Sequence, residues 1–132
     1  MNLKRDKDYM TTFTCLVTHG PHQGQHSYSA LLFCIAAVQQ GHKINQVFFY
    51  ADAVVHGNAH LDIPSDELNM QQRWQAFASE HTIPLVICAT VASRHGVHEC
   101  VHESANLASG FVASGLTEYM EAVVTSERLV QF

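Results

Sequence analysis

Short apolar segments alternate with helix-length segments along nearly the whole chain, and this alternation constrains the fold more than any other feature. The segments TTFTCLVT (11–18), KINQVFFY (43–50) and IPLVIC (83–88) have strand length and are rich in β-branched and aromatic residues. Strands that are apolar on both sides belong to sheets with both faces covered. The alternation therefore predicts a three-layer α/β/α domain with a mainly parallel sheet of about five strands.

Capping residues and apolar spacing locate the first two helices. Ser27 is a candidate N-cap for a helix over 27–40 that stops at Gly41, and Ser65 is a candidate N-cap for the next helix. Between them, residues 51–64 are expected to form a long loop. The second helix has one core face, made by side chains at i, i+4 and i+7: Met70, Trp74 and Phe77.

The rest of the chain completes a single domain. The sequence MNLKRDKDYM has five charges and lacks the apolar stretch of a secretory signal, so residues 1–10 predict a charged extension before an α/β domain at 11–132. No apolar run is long enough to predict a membrane span, and the expected compartment is the cytoplasm. The remaining elements are predicted as helical at 89–95 and 99–109, extended at 110–114, helical at 116–126 and a final strand at 128–132.

The charge balance argues against direct binding of nucleic acid. The chain has 7 Lys and Arg against 12 Asp and Glu, a formal net charge of −5. Proteins that bind RNA or DNA usually carry a basic surface, because contacts with phosphate groups supply much of their affinity. We therefore expect that this chain does not bind RNA or DNA by itself.

One predicted helix is apolar on every side. The segment ALLFCIAAV (30–38) contains no polar residue, whereas a helix that covers a sheet needs only one apolar face. A second covering surface is therefore expected, and a partner subunit is the favoured one because large exposed apolar patches usually mark contacts. The alternative is partial cover by the loop at 51–64.

Cys88 is the cysteine whose position suggests chemistry. It ends the third predicted strand, and a helical segment starts directly after it in IPLVICATVASRHGV (83–97). Catalytic groups gather at the carboxyl ends of parallel strands, and a helix N-terminus favours the thiolate form of a nearby thiol. Arg94 and His95 add positive charge to the same segment. A small buried side chain at a strand end is the structural alternative, and the residues alone leave both open.

The other three cysteines give weaker signals. Cys15 and Cys34 lie inside continuous apolar runs, so both are expected to pack in the core. Cys100 follows Glu99, whose negative charge does not favour a thiolate, and is at most a second reactive thiol. No CxxC motif is present, and all four are expected to be free thiols in a reducing compartment.

Ten histidines raise the question of a metal site. No HExxH or paired Cys/His motif organises them, so we interpret them as surface or loop residues and expect no bound metal or cofactor. The loop HGPHQGQHS (19–27) lacks P-loop and GxGxxG signatures, which leaves FMN-type phosphate binding as an alternative only. The two clusters are His19, His22 and His26, and His95, His98 and His102.

Six segments follow one another along the chain: VTHGP, VFFYADAV, SDELNMQQRWQ, IPLVICATVASRHGV, NLASGFVASGL and ERLVQF. Taken in this order, they resemble the DsrE/DsrF/DsrH family and within it the TusD-type subunits. The resemblance spans about residues 11–132 and implies a sulfurtransferase that accepts a persulfide sulfur and passes it on for 2-thiouridine modification of the tRNA wobble position. The family's active cysteine corresponds to Cys88. The first loop, rich in histidine, departs from the family in spacing.

The resemblance also implies partners. TusD-type subunits are expected to work in a hetero-oligomer with TusB-like and TusC-like subunits, which would account for the apolar helix at 30–38. A TusA-like protein would donate the sulfur and a TusE-like protein would accept it. Two alternatives remain: a DsrE-like subunit of a dissimilatory sulfur-oxidation relay, and a non-catalytic scaffold subunit of the same complex.

Overall fold

A parallel sheet organises the part of the chain that the computed structural model describes, residues 9–99 and 105–132. Its strands are β1 (Thr12–Val17), β2 (Lys43–Phe49), β3 (Leu85–Cys88), β4 (Phe111–Ser114) and β5 (Arg128–Gln131). The strand order is β4-β3-β2-β1-β5, and every pairing is parallel. The predicted α/β class with about five mainly parallel strands is confirmed. The helices are α1 (His26–Gln39), a 3-10 helix (Ala51–Gly57), α2 (Met70–His81), α3 (Ala89–Arg94) and α4 (Leu116–Val124).

Helices cover both faces of the sheet. On β2, Phe49 packs edge-on against Trp74 of α2 at 5.5 Å between ring centroids, whereas its neighbour Phe48 stacks on Tyr119 of α4 at 4.4 Å. Because successive side chains of a strand point to opposite faces, α2 and α4 lie on opposite sides. The helix α1 packs on β1 and β2 and also contacts α2, so it shares that helix's side. The three-layer prediction is confirmed.

The core face predicted for the second helix is confirmed, but its predicted start is wrong. Its apolar residues are buried, and Trp74 is fully so. The helix begins at Met70, and the side chain of Asn69 accepts a hydrogen bond from the backbone N–H of Gln72 at 3.0 Å. Ser65 lies in an exposed turn before the helix. An Asn satisfies a free N–H of the first turn as well as Ser does, so capping chemistry alone did not choose between the two residues.

Ser27 is also not a cap. The N-cap position of α1 is Gln25, and Ser27 is buried in the first turn. Its hydroxyl accepts a hydrogen bond from Trp74 Nε1 at 3.0 Å and lies 2.7 Å from His56 Nε2. The other ring nitrogen, Nδ1 of His56, lies 2.8 Å from the carbonyl oxygen of Ala53. Since that carbonyl can only accept, Nδ1 donates, and Nε2 accepts from the Ser27 hydroxyl.

This buried chain of hydrogen bonds keeps His56 neutral. The residue has no exposed surface, and burial lowers the pKa of His56 to about 4. A buried imidazolium would lose its hydration, and its Nε2–H would point at a hydroxyl whose proton is already directed toward the ring. The chain therefore ties the 3-10 helix, α1 and α2 together through a neutral histidine.

Two further predictions about local structure need correction. Residues 51–64 are not all loop, since Ala51–Gly57 form the 3-10 helix. Residues 105–109 are irregular backbone, a bridge and a turn, so the helix predicted over 99–109 is wrong there. The remainder of that segment, at 100–104, lies outside the described residues, as does the predicted charged extension apart from Tyr9 and Met10.

Candidate active site at the carboxyl edge of the sheet

Cys88 is the last residue of β3 and directly precedes α3. Its backbone is extended, with φ −68° and ψ 115°, so the chain passes from strand to helix immediately after the thiol-bearing residue. Its register partner is Ser114, the last residue of β4. The predicted position, at a strand end and a helix start, is confirmed. Only 4% of Cys88 is exposed, so neighbouring segments cover the residue in this conformation.

The two other described cysteines lie in the core, as predicted. Cys15 on β1 and Cys34 on α1 have no exposed surface. A hydrogen bond with the Cys15 thiol, together with burial, raises the pKa of Cys34 far above the ordinary range of a thiol. A thiol that stays protonated is a poor nucleophile, so Cys34 is a packing residue. Cys100, the weaker candidate from the sequence, lies outside the described residues.

The 3-10 helix lies beside the strand and the helix that meet at Cys88. It follows β2 and contacts both β3 and α3, the two elements that meet at Cys88. The chain enters it through Ala51, whose φ of 52° lies in the left-handed region that non-glycine residues seldom adopt. Tyr50, just before this turn, donates its N–H to the carbonyl of Val17 at 2.9 Å. The turn brings Asp52 to the carboxyl edge of the sheet.

Asp52 joins two other segments at that edge. Its Oδ2 accepts a hydrogen bond from Gln23 Nε2 at 3.0 Å, in the loop after β1. Its Oδ1 lies 3.2 Å from His95 Nε2, directly after α3. Gln23 is itself held in place, because its Oε1 accepts a hydrogen bond from the N–H of Gly20 at 2.5 Å. We call Gln23, Asp52 and His95 together the Asp52 bridge.

His95 is positioned to carry a positive charge. Its Nδ1 lies 3.0 Å from the carbonyl oxygen of Val91, and its Nε2 faces the carboxylate of Asp52. Both partners are acceptors, so only the imidazolium, with a proton on each nitrogen, satisfies both. The Val91 carbonyl and then Asp52 raise the pKa of His95 above its usual value. Reciprocally, hydrogen bonds from Gln23 and His95 lower the pKa of Asp52.

The histidine-rich loop does not assemble a metal site with its neighbours. His19 and His26 stack face to face, with ring centroids 3.6 Å apart, and the Thr18 hydroxyl lies 3.2 Å from His19 Nδ1. Across residues 9–99 and 105–132, no three His, Cys, Asp or Glu side chains are grouped as metal ligands would be; His102 is outside those ranges.

The alternative of a phosphate-binding loop also loses support from the geometry. The N–H of Gly20 donates to the Gln23 side chain, and the N–H of Gln23 donates to the carbonyl of Gly20. Asp52 adds a carboxylate to the same loop, and its negative charge repels an anion. The loop is therefore occupied by its own hydrogen bonds and by the Asp52 bridge.

Sequence reasoning noted the charge of His95 but missed Asp52 and Gln23. Asp52 follows the second strand almost as directly as Cys88 ends the third. The rule that strand ends share one edge of a parallel sheet could therefore have pointed to Asp52. Nothing in the local sequence around Gln23 distinguishes it from any polar loop residue.

Comparison with known proteins decides the family. The model of the DsrE/DsrF-like family matches residues 12–132. The chain belongs to the DsrE/DsrF-like family. A sulfurtransferase TusD homolog of Pasteurella multocida is 42% identical over 110 residues, covering 80% of this chain and 87% of that protein. The sulfurtransferase TusD of Photorhabdus laumondii is 41% identical over 125 residues, covering 89% and 95% respectively.

A solved structure shows the same fold. The crystal structure of the ychN protein from E. coli superposes with a TM-score of 0.77, covering 93% of this chain and all of that one, at 19% sequence identity. The family resemblance inferred from the ordered segments, and the sulfurtransferase class that it implies, are thus confirmed. In the parts of the chain that the structure describes, no helix is both long and apolar enough to cross a bilayer.

Proposed function

We propose that this sulfurtransferase is a sulfur-relay subunit that accepts a persulfide sulfur on Cys88 and passes it on for 2-thiouridine modification of the tRNA wobble position. One observation carries the proposal: Cys88 ends β3 at the edge where catalytic groups gather, whereas Cys15 and Cys34 lie inside the core. The naming of the curated relatives as TusD sulfurtransferases supports the pathway.

The chemistry requires one thiol and no cofactor. The Cys88 thiolate attacks the outer sulfur of a donor persulfide, the donor's S–S bond breaks, and the donor leaves as a thiolate. Cys88 then carries the transferred sulfur as Cys–S–SH. An acceptor thiolate attacks that outer sulfur in turn and regenerates the Cys88 thiolate. Each step exchanges one S–S bond for another, so no external oxidant or reductant is consumed.

The surface of α4 supports the proposal that the chain works in a hetero-oligomer. Each residue of α4 is at least partly exposed. Leu116, Met120 and Val124 lie at i, i+4 and i+8 and form an apolar stripe, with Val124 78% exposed. Such a stripe is typical of a protein contact. We propose that it packs against a TusB-like or TusC-like subunit.

The all-apolar helix predicted as an interface, α1, contributes less exposed surface than α4 does. Its inner face is buried, and Leu32 is the large apolar side chain that it exposes most, at 47%. An interface at α1 therefore stays a prediction beside the one at α4. We further propose that a TusA-like protein donates the sulfur and a TusE-like protein accepts it, in the cytoplasm where tRNA is modified. The net charge of −5 supports a role without direct contact with RNA.

The burial of Cys88 favours one competing function, that of a scaffold subunit. A thiol in a residue that is 4% exposed cannot meet a donor persulfide unless the covering segments move. A scaffold needs no such movement. The two functions differ in what happens to Cys88, so an experiment on that residue separates them.

The test is peptide mass spectrometry under non-reducing conditions, after the assembled complex is incubated with glutathione persulfide. We expect the peptide that contains Cys88 to gain the mass of one sulfur atom and to lose it to an added thiol acceptor. Cys88→Ser should abolish transfer, whereas Cys34→Ala, a matched change at a buried core cysteine, should retain it. Full transfer by the Cys88→Ser complex would establish the scaffold function instead.

A further inference from the structure

The proposed relay leaves one structural question, which is how a donor persulfide reaches a covered thiol. Cys88 is 4% exposed, and the 3-10 helix packs on both elements that meet at it. For an attacking and a leaving sulfur to approach in line, part of this cover has to open. The contacts that hold the cover in place are therefore candidates for control of the transfer.

The Asp52 bridge directly ties the 3-10 helix to the segment that follows Cys88. A second, indirect link runs through Asn106, whose Nδ2 donates to the carbonyl of Gly96 at 2.9 Å and to Asn58 Oδ1 at 3.2 Å. Gln23 belongs to the loop after β1, Asp52 to the 3-10 helix, and His95 to the turn that ends α3. His95 is also bonded back to α3, through its backbone N–H and its ring to the carbonyl of Val91. A movement of Asp52 therefore acts on α3, the short helix that begins directly after Cys88.

The bridge lies at the surface, where it can open without unfolding the core. The side chains of Asp52 and His95 are 58% and 31% exposed, so water can replace each partner when the pair separates. Exposed ion pairs of this kind are weak, which suits a contact that opens in every transfer cycle. The chain of hydrogen bonds through His56, by contrast, lies in the interior and stays in place.

We propose that Asp52 and His95 are positioning residues of the sulfur transfer: their ion pair holds the 3-10 helix and α3 together over Cys88, and its opening admits the persulfide of the donor protein. This inference rests on the proposed function of Cys88. It gives the transfer a second control besides the ionisation of the thiol itself, because a neutral His95 has lost its charge and can donate to only one of its two acceptors, the Val91 carbonyl or the Asp52 carboxylate.

The sign of the pH effect follows from the two partners. Asp52 is ionised above its lowered pKa and His95 is protonated below its raised pKa, so the bridge is closed between those limits. It weakens as the pH rises through the pKa of His95, because the neutral ring has one proton for two acceptors. Among the described residues, the other charged or titratable groups near this edge include His19, which acts on Asp52, His26, which stacks on His19, and Arg94, which precedes His95 on α3.

The experiment compares the rate at which Cys88 takes up sulfur from glutathione persulfide in the assembled complex, with and without the bridge, from about pH 5.5 to pH 9 around the ordinary histidine pKa. His95→Gln removes the charge at every pH, and His95→Arg keeps it at every pH. All variants carry the same thiol, and any loss of thiolate caused by removing the charge of His95 would lower the rate, which is opposite in sign to the effect of an opened bridge. His81→Gln, which removes another exposed histidine beside a carboxylate, is the matched control.

We expect His95→Gln to react about twofold to fivefold faster than wild type at acidic pH, the range that an exposed ion pair supplies, and equally fast at alkaline pH. His95→Arg should lack this pH-dependent difference and stay at or below the wild-type rate, and His81→Gln should match wild type throughout. A His95→Gln ratio of one across the range, or a ratio below one, would overturn the proposal.

A second readout separates this inference from the proposed function. Alkylation of Cys88 by iodoacetamide reports access to the thiol whether or not sulfur is transferred, and it should show the same variant ratios. If Cys88 never gains sulfur but its alkylation still depends on His95, the relay function fails while the bridge stands. If Cys88 gains sulfur and neither rate depends on His95, the bridge fails while the relay stands.

Discussion

Acidification should destabilise this protein through the buried histidine His56. In the folded chain the ring is neutral, hydrogen-bonded at both nitrogens, and has a pKa of about 4, whereas the ordinary value is 6.5. A group whose pKa is lowered by folding favours the folded state when it is deprotonated. The stabilisation is therefore complete above pH 6.5 and is lost as the pH falls toward 4.

The size of the effect follows from the gap between the two pKa values. Each pH unit between them is worth about 1.4 kcal/mol, so the difference of about 2.5 units corresponds to about 3 kcal/mol. Most of this is lost by about pH 4.5. Domains of this size are typically stable by only about 5–15 kcal/mol, so the loss is a large share of the total.

Urea unfolding at a series of pH values measures this loss. Trp74 is the only tryptophan of the chain and bonds to the Ser27 hydroxyl that also contacts His56, so its fluorescence reports the unfolding of this region. The comparison is with His56→Gln, which is less stable at neutral pH but has no imidazole to titrate. Wild type should lose about 2–3 kcal/mol more than this variant between about pH 7.5 and pH 4.5. Equal losses in the two proteins would refute the assignment of a neutral buried His56.

Three further changes test the packing and the surface. Ser27→Ala should lower the free energy of unfolding by about 2–3 kcal/mol because it leaves two buried ring nitrogens without partners, whereas Ser29→Ala, at an exposed site of the same helix, should change it little; similar losses in urea titrations would contradict this. Asn69→Ala should cost about 1 kcal/mol by removing the cap of α2, and Ser65→Ala should cost almost nothing; a larger loss from the serine variant would restore the cap predicted from sequence. Met120→Glu should weaken copurification with the partner subunits while the circular dichroism spectrum stays unchanged; undiminished copurification would place the interface elsewhere.

The strands, the core face of α2 and the position of Cys88 were predictable because local patterns determine them. Apolar runs of strand length that are rich in β-branched and aromatic residues favour strands, and residues at i, i+4 and i+7 share one side of any helix. Cys88 ends such a run immediately before a helical segment, so its place at the sheet edge follows once the sheet is parallel. The ordered family segments then added the sulfurtransferase class, which no local pattern contains.

The N-cap residues of the helices could not be predicted from local patterns in this way. Ser27 and Ser65 have the right chemistry for an N-cap, but so do neighbouring residues, and the choice depends on what each side chain meets after folding. The Ser27 hydroxyl meets an indole and an imidazole that lie 47 and 29 residues further along the chain. No short stretch of sequence around Ser27 contains those partners. The hydrogen bonds of a buried hydroxyl with two partners contribute more free energy than those of a hydroxyl that caps an exposed turn.

Sequence by itself determined the order of the strands and main helices along the chain and which thiol lies at the sheet edge, but not the start of α2 or the 3-10 helix. Only the tertiary structure decided that this thiol is covered and that a surface ion pair joins the segments beside it. Asp52 and His95 are 43 residues apart in the chain, and they meet because β2 and β3 are neighbours in the sheet and their carboxyl ends lie at one edge. Propensity and periodicity act over a few residues, whereas burial and pairing depend on the packing of distant ones.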